Sequence, residues 1–167
     1  GEKNFSNLDI SNRDISESRL HNNDFSNANL ENNKMAHVDF QGSNLSYTNL
    51  RNAELLGSNL SGVSLVGANL SGANLSGANL SGANLKDANL KDSKLYGADL
   101  TGTSLENVDL SGAELKGANF SGAHMTKVIL ENVDLSGVNF NGIHMVGQRL
   151  VDADLSGVNF QNAFLKD

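Results

Sequence analysis

The apolar residues of this chain recur at every fifth position. From Phe5 the series runs Ile10, Ile15, Leu20, Phe25 and Leu30 onward to Phe160 and Leu165. All 33 positions are Leu, Phe, Ile or Met, with no break in register. A period of five fits neither regular element. On a helix each step of five turns about 500°, so the apolar residues would spiral around the axis instead of forming a stripe. On a strand an odd step changes face every time. The pattern predicts a chain that bends once per repeat.

The other registers predict how it bends. Two residues before each apolar centre, Ala occurs thirteen times and Val seven, as at Ala68, Ala73, Val133 and Val138. These small apolar residues lie one pleat away, on the same side as the centre. Two residues after the centre, 29 of 33 positions are Gly, Asn or Asp, and every glycine except Gly1 stands there. These residue types accept the positive φ that tight turns often require. The two remaining registers are polar, chiefly Asn or Asp before the centre and Ser after it. Each unit is a short inward-facing step followed by a corner.

The run ANLSGANLSGANLSGANLKDANL (68–90) resembles the pentapeptide-repeat family, whose consensus is A-(D/N)-L-X-X. The resemblance covers residues 3–167. It implies an all-β fold: a right-handed quadrilateral β-helix with four pentapeptides per coil and a single domain over 1–167. The sequence itself supports four. Residues 121–140 and 141–160 carry His-Met and Leu-Ser-Gly-Val-Asn-Phe at the same places, and Phe120, Phe140 and Phe160 recur at twenty. In a solenoid such residues stack one coil apart. At a strand spacing of about 4.8 Å, roughly eight coils make a rod near 40 Å long. Its interior is expected to be solid, with no cavity of the kind small-molecule and catalytic sites use.

Composition narrows the functions. The chain has 167 residues and no cysteine, so disulfides and thiolate metal sites are excluded. No apolar run approaches the roughly 20 residues of a membrane-spanning helix. The net charge of −7 argues against direct nucleic-acid binding and fits a basic protein surface. The start, GEKNF, has neither an initiator Met nor a charged-then-apolar leader pattern. Removal of an N-terminal piece would leave the compartment open; a cytoplasmic location is the expectation.

His124 and His144 stand in equivalent places, one before the centre, and should stack on one face. A zinc site needs a third or fourth ligand, and Thr126, Lys127 and Val146 beside them are poor ones. The pair reads as the mark of a duplicated coil. The serines repeat as exposed spacers, and no Ser/His/Asp set stands apart from the repeat. No catalytic residue, cofactor or metal is expected.

Charge placement is the remaining signal. We name the four faces by the first centre on each: Phe5, Ile10, Ile15 and Leu20. The Ile10 and Ile15 faces each carry six acids to three bases in their outward registers, whereas the Leu20 face holds only Asp39, Asp99 and Arg19. Residues 55–85 carry no charge. Acid gathers toward the C-terminal end at Asp109, Glu114, Glu131, Asp134, Asp152 and Asp154. Among these, Glu114, Asp134 and Asp154 should form one column, where each like pair costs under about 1 kcal/mol in water. Solubility alone would tolerate such a column. It also suits a basic groove on another protein, or a cation such as Ca²⁺.

The resemblance adds a sharper alternative. Some pentapeptide-repeat proteins protect DNA gyrase from quinolones, as dimeric rods whose acidic surface is similar to duplex DNA. This chain departs from them in its lack of inserted loops, its neutral middle, and the dilution of its acid by Lys94, Lys116 and Arg149. The expected function is a non-catalytic rigid scaffold that binds a protein partner along one face, with DNA gyrase as a possible partner and DNA mimicry as the alternative.

Both ends carry expectations. Near the start the small-residue register reads Lys3, Leu8, Arg13, Ser18 and Asn23, which predicts a looser, partly exposed end. Near the other end, Phe164 is the only Phe outside the central register. Val146, Val151 and Ile129 are also apolar in outward registers. Together with Leu165, the last inward centre, Phe164, Val146 and Val151 are the candidate contact of a two-fold dimer.

Overall fold

A computed structural model describes residues 2–148, 150 and 153–167. The chain is a right-handed quadrilateral β-helix. Parallel pairing always joins residues twenty apart, as in Asp9↔Asn29↔Asn49↔Asn69↔Asn89↔Asp109. One coil is therefore twenty residues, or four pentapeptides. Pairing is usually confined to the residue before each centre. It widens to three-residue strands only near the end: β1 (His124–Thr126), β2 (His144–Val146) and β3 (Phe164–Lys166). These form one parallel sheet in the order β1-β2-β3, with His124 opposite His144 and His144 opposite Phe164. No helix occurs among the described residues.

The hydrogen bonds explain the repeat. Each centre donates its N–H to the coil above, as Leu50 does to the Asn69 carbonyl at 2.7 Å. The preceding residue donates to the coil below, as Asn69 does to the Thr48 carbonyl at 2.9 Å. Corners are closed by a local bond, such as Ala53 N–H to the Leu50 carbonyl at 3.0 Å. This is a four-residue turn with positive φ at its third position, the type II pattern. Every described corner residue from Asn7 to Asn162 has φ between 54° and 74°. That includes Glu17, His37, Tyr47 and Lys127, the four that are not Gly, Asn or Asp. A side chain in this region costs about 1–2 kcal/mol. Two of the four impose a condition on the next coil. A Cβ at Gly67 would lie 2.6 Å from the Tyr47 ring, and one at Gly57 would lie 2.6 Å from His37. Each large corner side chain leans over a glycine one coil on.

The interior is a continuous stack. Leu45 through Leu85 in steps of five are fully buried, and Ala68, Ala73, Ala78 and Ala83 fill the spaces beside them. Phe120, Phe140 and Phe160 stack with ring centroids 5.5 Å apart. The small-residue register also accepts polar groups, most of them with a partner, although the Ser93 hydroxyl is buried without one. The hydroxyls of Thr48, Ser58 and Thr103 are buried and donate to the carbonyls of Leu45, Met35 and Leu100. In the first coil Lys3, Leu8 and Arg13 are exposed, and the centres Phe5, Ile10, Ile15 and Leu20 are half-buried. Asn23 and Asn33 are buried, and they accept the Lys3 and Arg13 backbone N–H at 2.8 and 2.7 Å. A side chain thus supplies the corner bond that the backbone makes elsewhere.

Candidate acidic interaction face

On the Ile15 face Glu114 pairs with Asp134, and Asp134 pairs with Asp154, one coil apart in parallel register. All three are exposed, and Lys94 pairs with Glu114 from below. Asp109 is half-buried on the neighbouring Ile10 face, between Asn89 and Ile129. Glu131 is exposed on that face, one place after its centre. Asp109 and Glu131 therefore occupy different columns of the Ile10 face, and among the described candidate acids only those of the Ile15 face form a ladder. Asp152 and Val151 lie outside the described residues.

The ladder is held by a device the acid count does not reveal. Three of these acids accept the backbone N–H of the Ser two residues on: Asp109 from Ser111 at 2.9 Å, Asp134 from Ser136 at 2.8 Å, Asp154 from Ser156 at 2.9 Å. This is a local side-chain turn that fixes the carboxylate. Its signal in the sequence is the recurring Asp-Leu-Ser. The Ser136 hydroxyl and then its N–H hold the Asp134 carboxyl below its usual 3.8; Asp154 opposes this and Lys116 assists. The Ser156 hydroxyl and N–H lower Asp154 in the same way. One oxygen of each carboxylate is used inside the coil, and the other faces solvent with a fixed direction.

Beside the ladder lies a shallow cleft of about 210 Å³, lined by Tyr96, Gly112, Glu114, Lys116, Asn132 and Asp134. Tyr96 is 42% exposed and supplies the aromatic side of a mixed-charge hollow. Tyr96 and Lys116 stand in the register after the centre, so they rise next to the acids one coil apart. The reading by charge alone named neither as part of a binding surface.

The apolar residues near the end form a second patch. Phe164 and Leu165 are 52% and 59% exposed, and Ile129 is 44% exposed. Val146 is half-buried. The His124 and His144 rings are 4.8 Å apart, and Phe164 continues the stack 5.7 Å from His144. The histidines thus begin an aromatic ladder on the Phe5 face, as the duplicated coil requires. No group of three or more His, Asp or Glu side chains that could hold a metal ion occurs among the described residues.

The model of the pentapeptide repeats (8 copies) matches residues 34–72, 68–107, 103–142 and 129–167. The chain belongs to the pentapeptide-repeat family. No curated protein matches it. Solved pentapeptide-repeat structures are similar over most of the rod. HetL, involved in heterocyst differentiation regulation in the cyanobacterium Nostoc sp. strain PCC 7120, is 29% identical with a TM-score of 0.56, over 98% of this chain and 84% of that one. QnrB1, a plasmid-mediated fluoroquinolone resistance protein, superposes with a TM-score of 0.70 at 19% identity, over 99% and 91% of the two chains. At that identity the likeness speaks for the fold. Rfr23 from the cyanobacterium Cyanothece 51142 is 26% identical with a TM-score of 0.50, over 78% and 91%.

Proposed function

We propose that this pentapeptide-repeat chain is a non-catalytic, rigid scaffold whose Ile15 face docks a basic surface of another protein. The observation that carries the reading is the ladder Glu114–Asp134–Asp154, with both aspartates pre-set by their serines. Fixed carboxylates lose little side-chain freedom on binding, which lowers the cost of an electrostatic contact. The Tyr96 cleft beside them offers a place for an aliphatic or cationic side chain. Such a contact gives specificity and association rate, and it weakens as salt rises. The test is binding of a candidate basic partner to wild type and to Glu114→Lys/Asp134→Lys/Asp154→Lys across a salt series. Loss of binding in the variant supports the reading; equal, salt-insensitive binding by both rejects it.

DNA mimicry toward gyrase is the second reading, favoured by the same ladder. Its weak point is the uncharged stretch 55–85, because a duplex presents phosphates without a gap. Gyrase supercoiling measured with and without the protein separates the two: inhibition that disappears in the triple-lysine variant selects mimicry. The reading extends to a two-fold contact through Phe164, Leu165 and Val146, supported by the exposure of Phe164 and Leu165. Sedimentation of wild type and Phe164→Glu tests it. A wild-type dimer that the substitution turns into a monomer is expected; a wild-type monomer at tens of micromolar rejects it.

A further inference from the structure

The charges along the Ile15 face form a pattern that is complementary to itself. In the column before the centre, parallel pairing sets Lys34, Glu54, Asn74, Lys94 and Glu114 one coil apart, in that order. Reversing the column exchanges the signs at its four charged places. Lys34 and Lys94 are the only lysines that stand before a centre in this chain, so no other face carries this alternation. All four charged side chains are exposed. The ion pairs of the described residues are His21–Asp39, Arg51–Glu31 and Lys86–Glu106, and none of the four takes part in one. The column after the centre repeats the symmetry in apolar form. Leu56 and Tyr96, 44% and 42% exposed, stand one coil to either side of Ser76.

Two copies can lay this face against itself about a two-fold axis in two ways. With the rods parallel, the column before the centre meets the column after it at the same height, which sets Glu54 on Leu56. The carboxylate then loses water to an apolar neighbour, a cost that nothing offsets. With the rods antiparallel, each column meets its own reverse. About an axis at Asn74, Glu54 of one copy meets Lys94 of the other, Lys34 meets Glu114, and Leu56 meets Tyr96. The symmetry makes each of these contacts twice. Register is specified as well. A slip of one coil in one direction sets Glu54 on Glu114, and in the other direction Lys34 on Lys94, so like charges reject both neighbours of the matched register.

We propose that two copies of this chain pair side by side and antiparallel through the middle of the Ile15 face, about a two-fold axis at Asn74. The pivot is already satisfied: Asn74 Oδ1 accepts the Ser76 N–H and hydroxyl at 3.1 and 2.7 Å. Along the edge beside Leu56 and Tyr96 the corners are glycine from Gly57 to Gly117 in steps of twenty, so no side chain of those corners holds the copies apart. At the rim Asp14 meets Asp134, where water and salt screen the like pair. The strip from Lys34 to Glu114 spans about 24 Å by about 10 Å, roughly 240 Å². That is well below the roughly 800 Å² per partner of a stable interface. The pair is thus a weak, salt-sensitive dimer of high concentration, held by the matching of signs more than by area.

The inference rests on the pairing of Lys34, Glu54, Lys94 and Glu114 and not on the docking of a basic partner, so either can fail alone. The test is sedimentation of the full chain carrying Phe164→Glu, in which the apolar contact near the end is silenced. Glu54→Lys and Lys94→Glu are prepared separately in that parent, and thermal melts check that each folds. The parent is expected to self-associate at about 0.5 mM in low salt, as a small interface requires, and to become monomeric at about 0.5 M salt. Each single variant sets like charges together at two places and should stay monomeric. Their equimolar mixture should dimerise again, because in the mixed pair both places join opposite signs. Asp154→Lys lies beyond the overlap and should associate like the parent although it breaks the acid ladder. Four results overturn the proposal: a parent monomeric at low salt, single variants that associate like the parent, a mixture that associates no better than its components, or loss of association in Asp154→Lys.

Discussion

The Ile15 and Leu20 faces share a corner, a core and one hydrogen-bonding plan, yet they present opposite chemistry. On both, the residue before the centre accepts the N–H of the residue after it: Asp134 from Ser136, Asn119 from Ser121. On one face that acceptor is a carboxylate and on the other an amide. The coil does not distinguish them, because both bond through one oxygen to the same N–H. Fold in this chain resides in the centre, the small inward register and the corner. Surface character resides in the two registers between, which can change without disturbing the coil.

Four tests by substitution probe that separation. The largest effect belongs to the shared core. Leu75 is fully buried beneath the Ile15 face, and Leu75→Asp places an unpaired carboxylate among leucines. A loss of several kcal/mol is expected in denaturant unfolding, enough to remove both faces together. A variant that melts with wild type would show that the register does not face inward. Next comes the shared corner. Gly97 has φ 61° with open space around it. Gly97→Ala should cost about 1–2 kcal/mol, and Gly97→Asn much less, because Asn tolerates this conformation. Equal losses would mean that something besides φ selects glycine there.

The outward registers should then show function without stability. Glu114→Lys/Asp134→Lys/Asp154→Lys is expected to leave unfolding free energy within about 0.5 kcal/mol per site while removing docking to a basic partner. The smallest effect is acid sensitivity. Asp134 and Asp154 have folded-state values below the usual 3.8, set by their serines. Their contribution is therefore complete above that value and is lost as pH falls below it through the lowered folded-state value. Asp134→Asn/Asp154→Asn keeps the bond to the serine N–H but cannot titrate. Its melting temperature should fall less between about pH 4 and pH 2 than that of wild type. Parallel curves would mean that the serine bonds do not favour the ionised form.

The fold was legible because each register has one job. The unbroken centres from Phe5 to Leu165, the corner glycines and the twenty-residue repeat of His-Met together define the coil. The positive φ of Tyr47 and His37 was not legible, since it comes from the coil imposing its corner on residues that disfavour it. Nor were the buried Asn23 and Asn33. Their side-chain oxygens find backbone N–H groups one coil below, a partner that local sequence does not show. For the acidic face, the column Glu114–Asp134–Asp154 followed from the period alone. The serine locks and the Tyr96–Lys116 cleft needed the geometry between neighbouring coils.

The central claim is that the acid ladder is a docking surface and not only a solubilising one. Affinity capture on immobilised wild type and triple-lysine variant, at physiological and at high salt, tests it most directly. A defined partner held by wild type, released by salt and absent from the variant is the predicted result. The same proteins retained by both rods would contradict the account.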